Sequence, residues 1–213
     1  MQRLELDELW AFVGKKQRHV NAYDEVSKGD TWTWLAIDAE TKLVPAFLVG
    51  KRTDADARAF VADLAKRLAT RVQLSTDGLR SFIAPIGASF GTGGVDYAQV
   101  IKSYETEATG PARYSPQRVT GIEKMPIYGE PRELVSTSYA ERMNLSARMM
   151  GRRYTRLANA FSKKIEMHVA STALKLTGYN FTPRCSPAMA AGVAKTLWST
   201  EKLVSAALDG VPP

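Results

Sequence analysis

One segment near the N-terminus, LELDELWAFV at residues 4–13, constrains the fold of this 213-residue chain more than any other. A strand that is apolar on both faces belongs in the interior of a sheet that is covered on both sides. The segment therefore predicts a central strand. Its two faces, at a period of two residues, are Leu4, Leu6, Trp10 and Phe12 on one side and Leu9, Ala11 and Val13 on the other.

The next segments predict the rest of the sheet. TWTWLAID at 31–38 and LVPAFLVG at 43–50 are apolar runs separated by a short turn, which indicates a three-stranded meander with the first strand. Apolar residues then recur at helical spacing over 57–68, and a fourth strand follows at 72–76. The order β-β-β-α-β predicts an α/β fold in which helices flank a mixed sheet.

The second half of the chain is less regular. Over 79–135 a glycine cluster and scattered prolines blur the pattern, and we predict an irregular insertion there. Helices are expected from Ser138 to Met150 and from about Ser162 to Leu176. We expect one domain over 1–178 and a C-terminal tail over 179–213 that holds at most short helices.

Asp7 is the first candidate for chemistry, because it lies within the central strand among apolar neighbours on its own face. A carboxylate in such a place is costly unless a cation neutralises it. A bound metal ion or an ordinary salt bridge would both serve. Glu8 points to the opposite face and is the competing candidate.

Asp77 ends the fourth strand, and the expected strand order places that end beside the first strand. Two carboxylates, Asp7 and Asp77, would then converge. The alternative is plain turn chemistry, since Asp-Gly is a common turn dipeptide. Asp38, at the end of its own strand, remains a spare carboxylate.

Glu141 lies in the first turn of the helix that begins at Ser138. It shares a polar helical face with Asn144 and Arg148, and this face can look into a site at the sheet edge. The alternative is a capping box, in which Glu141 only accepts the backbone N–H of Ser138.

Three carboxylates suit one kind of chemistry. Cleaving or exchanging a phosphodiester needs an activated oxygen nucleophile and a stabilised leaving oxygen, which two Mg²⁺ or Mn²⁺ ions about 4 Å apart can supply. Such ions take oxygen ligands. No His or Cys ligand is required in a chain with only two histidines and one cysteine, Cys185, which also excludes a disulfide framework within the chain.

The charge distribution indicates a polyanionic partner. The formal net charge is +7, and no acidic residue lies between Arg142 and Lys164. Phosphate contacts from such a segment would give salt-sensitive binding to DNA, whereas an ordinary solvated face usually mixes signs. For His168, at helical spacing from Lys164, packing in the core is the alternative. The candidate DNA-binding residues are Asn144, Arg148, Arg152, Arg153, Arg156, Lys163, Lys164 and His168.

The sequence has neither an apolar leader at its start nor a run of the roughly 20 apolar residues that a membrane span requires. We therefore expect a cytoplasmic protein that does not associate with membranes.

Four motifs together resemble bacterial insertion-sequence transposases of the IS-one family. They are DELWAFVGKK at 7–16, STDG at 75–78, STSYAERMNL at 136–145 and MGRRYTRLANAFSKK at 150–164. The resemblance implies a ribonuclease-H-like catalytic domain with a metal-binding DDE triad at Asp7, Asp77 and Glu141. It also implies an enzyme that nicks transposon ends and joins the freed 3′-hydroxyls to double-stranded target DNA, working as at least a homodimer.

Two departures from that family bear on function. The chain begins six residues before Asp7, without the DNA-recognition region that such transposases usually carry at the N-terminus. The segment between Tyr179-Asn180-Phe181 and Ser186 is also shorter than in similar proteins. A truncated, inactive remnant that only binds DNA is therefore the main alternative, and a plain ribonuclease-H-like nuclease is the second.

Overall fold

A single mixed β-sheet organises the computed structural model, which describes residues 1–105, 118–132, 134–155 and 159–209. The strands are β1 (Arg3–Val13), β2 (Gly29–Asp38), β3 (Ala46–Gly50), β4 (Val72–Asp77), β5 (Val95–Tyr104) and β6 (Val119–Tyr128). Their order in the sheet is β3-β2-β1-β4-β5-β6.

Strand directions define the fold class. The first three strands are antiparallel, β4 runs parallel to β1, β5 runs parallel to β4, and β6 returns antiparallel. This combination of order and direction is that of a ribonuclease-H-like sheet. The prediction of an α/β fold with a mixed sheet is confirmed, and β1 is central as the two-sided apolar pattern required.

Helices cover both faces of the sheet. The helices are α1 (Asp54–Lys66), α2 (Ile83–Phe90), α3 (Ser138–Met150), α4 (Ile165–Phe181), α5 (Pro187–Ala190) and α6 (Thr200–Leu208). The core on one face joins Leu4 and Leu6 of β1 to α1 and α2, whereas the core on the other joins Leu9 and Ala11 to α3 and α4.

A carboxylate of the sheet anchors the start of α3. The buried Glu5 side chain of β1 accepts the backbone N–H groups of Tyr139 at 2.7 Å and Ala140 at 3.0 Å. These N–H groups lack partners within their own helix, and the positive end of the helix dipole favours a negative charge there. Glu5 therefore fixes the first turn of α3 over β1, two residues from Asp7.

The prediction of an irregular insertion was wrong for the described residues of the range 79–135. Far from forming an irregular insertion, this region supplies β5 and β6, which extend the sheet beyond β4. The apolar alternation was hidden because nearly all of β6 is exposed at the sheet edge. One glycine of the cluster, Gly87 of α2, has a packing role, since a Cβ there would lie 2.8 Å from the Tyr128 hydroxyl.

The C-terminal part is helical and packed. Helix α4 continues through Phe181, past the predicted end at Leu176 and across the expected boundary after residue 178. Beyond it, Ala188 and Leu203 pack with Phe181 and with Leu43 of the loop before β3. Among the described helices, none combines the length and apolar character needed to cross a membrane.

Candidate metal centre

Asp7 and Asp77 lie side by side on the neighbouring interior strands β1 and β4. Leu6 of β1 pairs with Thr76 of β4, so the two aspartates follow at matching positions on adjacent parallel strands. Asp7 Oδ1 accepts the Glu8 backbone N–H at 2.8 Å, and Asp77 Oδ1 accepts the Leu79 N–H at 3.0 Å. These local backbone contacts use only the Oδ1 atom of each aspartate.

Glu141 faces the same cleft from α3, and its partners exclude the capping box. It accepts a hydrogen bond from the Thr137 hydroxyl at 2.7 Å and forms an ion pair with Lys102 of β5. The Ser138 backbone N–H instead bonds to the Ser136 hydroxyl at 3.1 Å. The Glu141 carboxylate is therefore held at the cleft by residues outside its own helix interior.

Asn144 links α3 directly to the aspartate of β1. Its side-chain amide Nδ2 donates to Asp7 Oδ2 at 2.7 Å, whereas its Oδ1 is buried without a hydrogen-bond partner among the described residues. Asn144 was predicted to contact DNA, but its immediate partner is Asp7. An amide oxygen is also a suitable ligand for a hard cation.

The pKa of the Asp7 carboxyl is raised to about 7, first by loss of solvation on burial and then by the negative charges of Asp77 and Glu141. Burial likewise raises the pKa of Glu8 to about 8, with Asp77 and Asp7 adding to the effect. Partly desolvated carboxylates that repel each other in this way are stabilised by a bound cation.

Three carboxylates form a compact group. One oxygen from each of Asp7, Glu8 and Asp77 lies within 4.8 Å of the others, with no histidine or cysteine in the group. An all-oxygen donor set fits Mg²⁺ or Mn²⁺ better than a softer metal. The unpartnered Asn144 Oδ1 and a buried, unpartnered Glu8 Oε2 are further donors that such an ion could satisfy.

The site opens to solvent through a cleft of about 530 Å³. Acidic residues from β1, β4 and α3 meet basic ones from β5 and α3 on its walls. The charged and polar lining residues include Asp7, Asp77, Lys102, Glu141, Asn144 and Arg148.

The basic residues predicted to bind DNA differ in their exposure. Lys163, Lys164 and Arg152 are exposed, and the half-buried Arg153 donates to the Ser162 hydroxyl at 3.2 Å. Arg148 lines the cleft. Arg156 lies outside the described residues.

His168 is a correction to the predicted DNA-binding set. Its side chain is fully buried, its Nδ1 lies 2.7 Å from the Ser162 hydroxyl, and its ring meets that of Tyr154 edge to face. The imidazole therefore presents no surface to DNA. The alternative of a packed histidine is the one the structure adopts.

Asp38, the spare carboxylate, is also buried and accepts the Thr41 N–H and hydroxyl in a turn.

Several residues that shape the site were not predicted from the sequence. Lys102 fell in the region misjudged as an insertion, and Arg52, which pairs with Glu8, lies in a loop before α1. No sequence signal marked either of them. Glu5 could have been found, because it shares the β1 face of Asp7 at a spacing of two residues.

By strand order, this chain belongs to the ribonuclease-H-like class of α/β folds. No family model and no curated protein matches its sequence. It is similar in structure to a piggyBac transposase in a synaptic complex with hairpin DNA, at 12% identity and a TM-score of 0.49, over 96% of this chain and 51% of that one. It is also similar to Aquifex aeolicus Argonaute, at 10% identity and a TM-score of 0.32, over 83% and 28%.

The chain thus spans about half the length of the transposase it resembles.

Proposed function

We propose that this chain is the catalytic domain of a metal-dependent DNA transposase, which cleaves DNA strands and joins the freed ends to target DNA. The observation that carries the proposal is the placement of Asp7, within β1, beside Asp77, at the end of the parallel strand β4, with Glu141 on the wall of the same open cleft. The four motifs that resemble IS-one transposases support the choice of transposase over a general nuclease.

In this proposal Asp7, Asp77 and Glu141 hold two Mg²⁺ or Mn²⁺ ions. When bound, the ions lower the pKa of an attacking water or 3′-hydroxyl and neutralise charge on the phosphate and the leaving oxygen. Asn144 holds Asp7 through its 2.7 Å hydrogen bond, which fixes the orientation of that carboxylate. Lys102 has to exchange its ion pair with Glu141 for a phosphate oxygen or solvent before Glu141 becomes a ligand.

The two chemical steps use one kind of displacement. In cleavage, water attacks phosphorus, the bond to the 3′-oxygen breaks, and that oxygen gains a proton. In joining, the freed 3′-hydroxyl attacks a target phosphate, loses its proton and displaces the target 3′-oxygen. The number of phosphodiester bonds is unchanged in joining, so no nucleotide cofactor is needed.

We propose that the basic segment that follows Glu141 binds double-stranded DNA. Arg152, Lys163 and Lys164 follow Glu141 in the sequence and are exposed, so their positive charge suits sequence-independent phosphate contacts. Since transposition has to hold two DNA ends together, we expect the active form to be at least a dimer.

The decisive experiment is nicking and strand transfer on labelled DNA with Mg²⁺ or Mn²⁺. The wild-type chain is compared with Asp7→Asn, Asp77→Asn and Glu141→Gln, and with Glu201→Gln in α6 as the matched control. We expect activity in wild type and control, its loss in the three site variants, and retained DNA binding in all five.

Two results would overturn the proposal in different ways. DNA binding by the wild type without metal-dependent cleavage would favour the inactive remnant. The ion pair between Lys102 and Glu141 in the cleft also favours that alternative. Cleavage without joining of 3′ ends would favour a plain nuclease.

A further inference from the structure

Glu8 belongs to the carboxylate cluster, although the proposed triad does not use it. Its carboxylate lies within 4.8 Å of ligand atoms from Asp7 and Asp77. Glu141 is not part of this compact group and instead pairs with Lys102. The described structure thus gathers two aspartates and Glu8, where the sequence motifs predict two aspartates and Glu141.

The surroundings of Glu8 are unusual for an acidic residue. Its side chain is only 2% exposed, and one carboxylate oxygen is paired with Arg52. The other oxygen, Oε2, is buried and has no hydrogen-bond partner among the described residues. Leaving a buried carboxylate oxygen without a partner costs free energy, so a ligand that supplies one is favoured.

Arg52 neutralises only part of the negative charge of the carboxylate cluster. The guanidinium pairs with Glu8, is 41% exposed, and lies 4.7 Å from the centroid of the Trp32 ring. With Asp7, Glu8 and Asp77 ionised, the cluster carries three negative charges, and Arg52 contributes one positive charge. The remaining two match one divalent cation, and Arg52 keeps the Trp32 ring as a second partner if the ion takes Glu8.

We propose that Glu8 is a metal ligand that completes a divalent-cation site with Asp7 and Asp77, and that Arg52 competes with the cation for Glu8. The inference rests on the proposed metal-dependent function and adds a ligand to it. In the ion-free chain, Arg52 neutralises Glu8. When the cation binds, the guanidinium withdraws from the carboxylate and stays stacked on Trp32.

Cation binding without DNA tests the inference directly. Mn²⁺ is titrated calorimetrically into wild type, Glu8→Gln, Asp77→Asn and the exposed control Glu201→Gln. We expect Glu8→Gln and Asp77→Asn each to weaken Mn²⁺ binding by about tenfold or more, since each removes a charged ligand, while the control matches wild type. Electron spin resonance of bound Mn²⁺ gives an independent readout.

The failures of the two proposals are distinguishable. Wild-type affinity in Glu8→Gln, together with weak binding in Asp77→Asn, would overturn the role of Glu8 and leave the triad intact. Absence of Mn²⁺ binding in wild type, with or without DNA, would overturn the metal-dependent function itself.

Arg52→Met tests the same site while leaving every carboxylate in place, so it remains informative if Glu8→Gln folds poorly. If Arg52 competes with the cation, Arg52→Met binds Mn²⁺ more tightly than wild type. Weaker binding in Arg52→Met would instead mean that Arg52 positions Glu8, and would overturn the competition. Far-ultraviolet circular dichroism confirms that each variant is folded before titration.

Discussion

The side-chain amide of Asn144 donates a hydrogen bond to the Asp7 carboxylate at 2.7 Å. This contact joins helix α3 to strand β1, and it crosses 137 positions of sequence. Because α3 also carries Glu141, the same helix positions an acidic residue and orients the aspartate opposite it.

Asn144→Ala should reduce metal-dependent strand cleavage by about tenfold to a hundredfold, because Asp7 loses the donor that orients it. DNA affinity should change little. The measurement is the rate of nicking under saturating DNA, with the exposed Asn159→Ala as control. An unchanged nicking rate in Asn144→Ala would show that the hydrogen bond has no part in positioning Asp7.

Glu5→Ala should lower the free energy of unfolding by about 1–2 kcal/mol, because two N–H groups at the start of α3 lose their acceptor. Glu5→Gln keeps one acceptor oxygen and should lose less. Urea unfolding measures both. The control is Glu40→Ala, which removes an ion pair with Arg3 whose partners are 49% and 25% exposed and which should matter little.

His168 should make the protein less stable as the pH falls. Burial lowers the pKa of its imidazole to about 4, below the value of about 6.5 in an unfolded chain. Between about pH 6.5 and pH 4, the unfolded chain therefore binds more protons than the folded chain. The contribution of His168 to the free energy of unfolding is complete above about pH 6.5. It is lost as the pH falls towards 4, and the loss is at most about 3 kcal/mol.

The pH dependence of His168 is isolated by difference, because the raised pKa values of Asp7 and Glu8 act with the opposite sign. Unfolding free energies are measured at several pH values between about 7 and 5 for wild type, His168→Gln and the exposed control His19→Gln. Relative to wild type, His168→Gln should lose less stability as the pH falls. Parallel curves for the two proteins would contradict the assignment.

Divalent cations should stabilise the chain more at about pH 8 than at about pH 6. In the ion-free protein, the pKa of Asp7 is raised to about 7, so the folded chain holds a proton that the unfolded chain releases near pH 4. The stability due to that proton is complete below about pH 4 and is lost as the pH rises through 7.

A cation replaces that proton, so binding is weaker where the proton is still held. The shift in melting temperature between Mg²⁺ and a chelator, measured at both pH values, tests this. Asp7→Asn should remove most of the shift at either pH. A shift that is equal at the two pH values in wild type would contradict the prediction.

Lys163→Gln and Lys164→Gln should weaken DNA binding similarly for all sequences. Each lost phosphate contact should also reduce the slope of log affinity against log salt by about 0.9. Fluorescence anisotropy at several salt concentrations measures both quantities. The control is Lys66→Gln at the exposed end of α1, on the opposite face of the sheet. An effect of equal size in the control would mean that net charge alone determines binding.

The sequence alone determined the central part of the fold, because local periodicity encodes it. The two-sided apolar pattern of β1 and the helical spacing of α1 required no knowledge of distant residues. Once the element order β-β-β-α-β is predicted, the approach of Asp77 to Asp7 follows from the parallel pairing of β1 and β4. Helix α3 was also predicted with its observed bounds, Ser138–Met150.

Only the tertiary structure decided the rest, because those features depend on contacts between distant segments. Strand β6 is exposed on both faces and carries no alternating apolar signal, so its place at the sheet edge came from pairing with β5. The burial of His168 depends on packing against Tyr154 and Ser162.

The ion pairs made by the acidic residues of the site also depend on the tertiary structure. The pairing of Lys102 with Glu141 and of Arg52 with Glu8 joins residues 39 and 44 positions apart. Sequence periodicity reports which face of a strand or helix a residue occupies. It does not report which opposite charge the folded chain brings within a few ångströms, and that distance determines which carboxylates remain open to a cation.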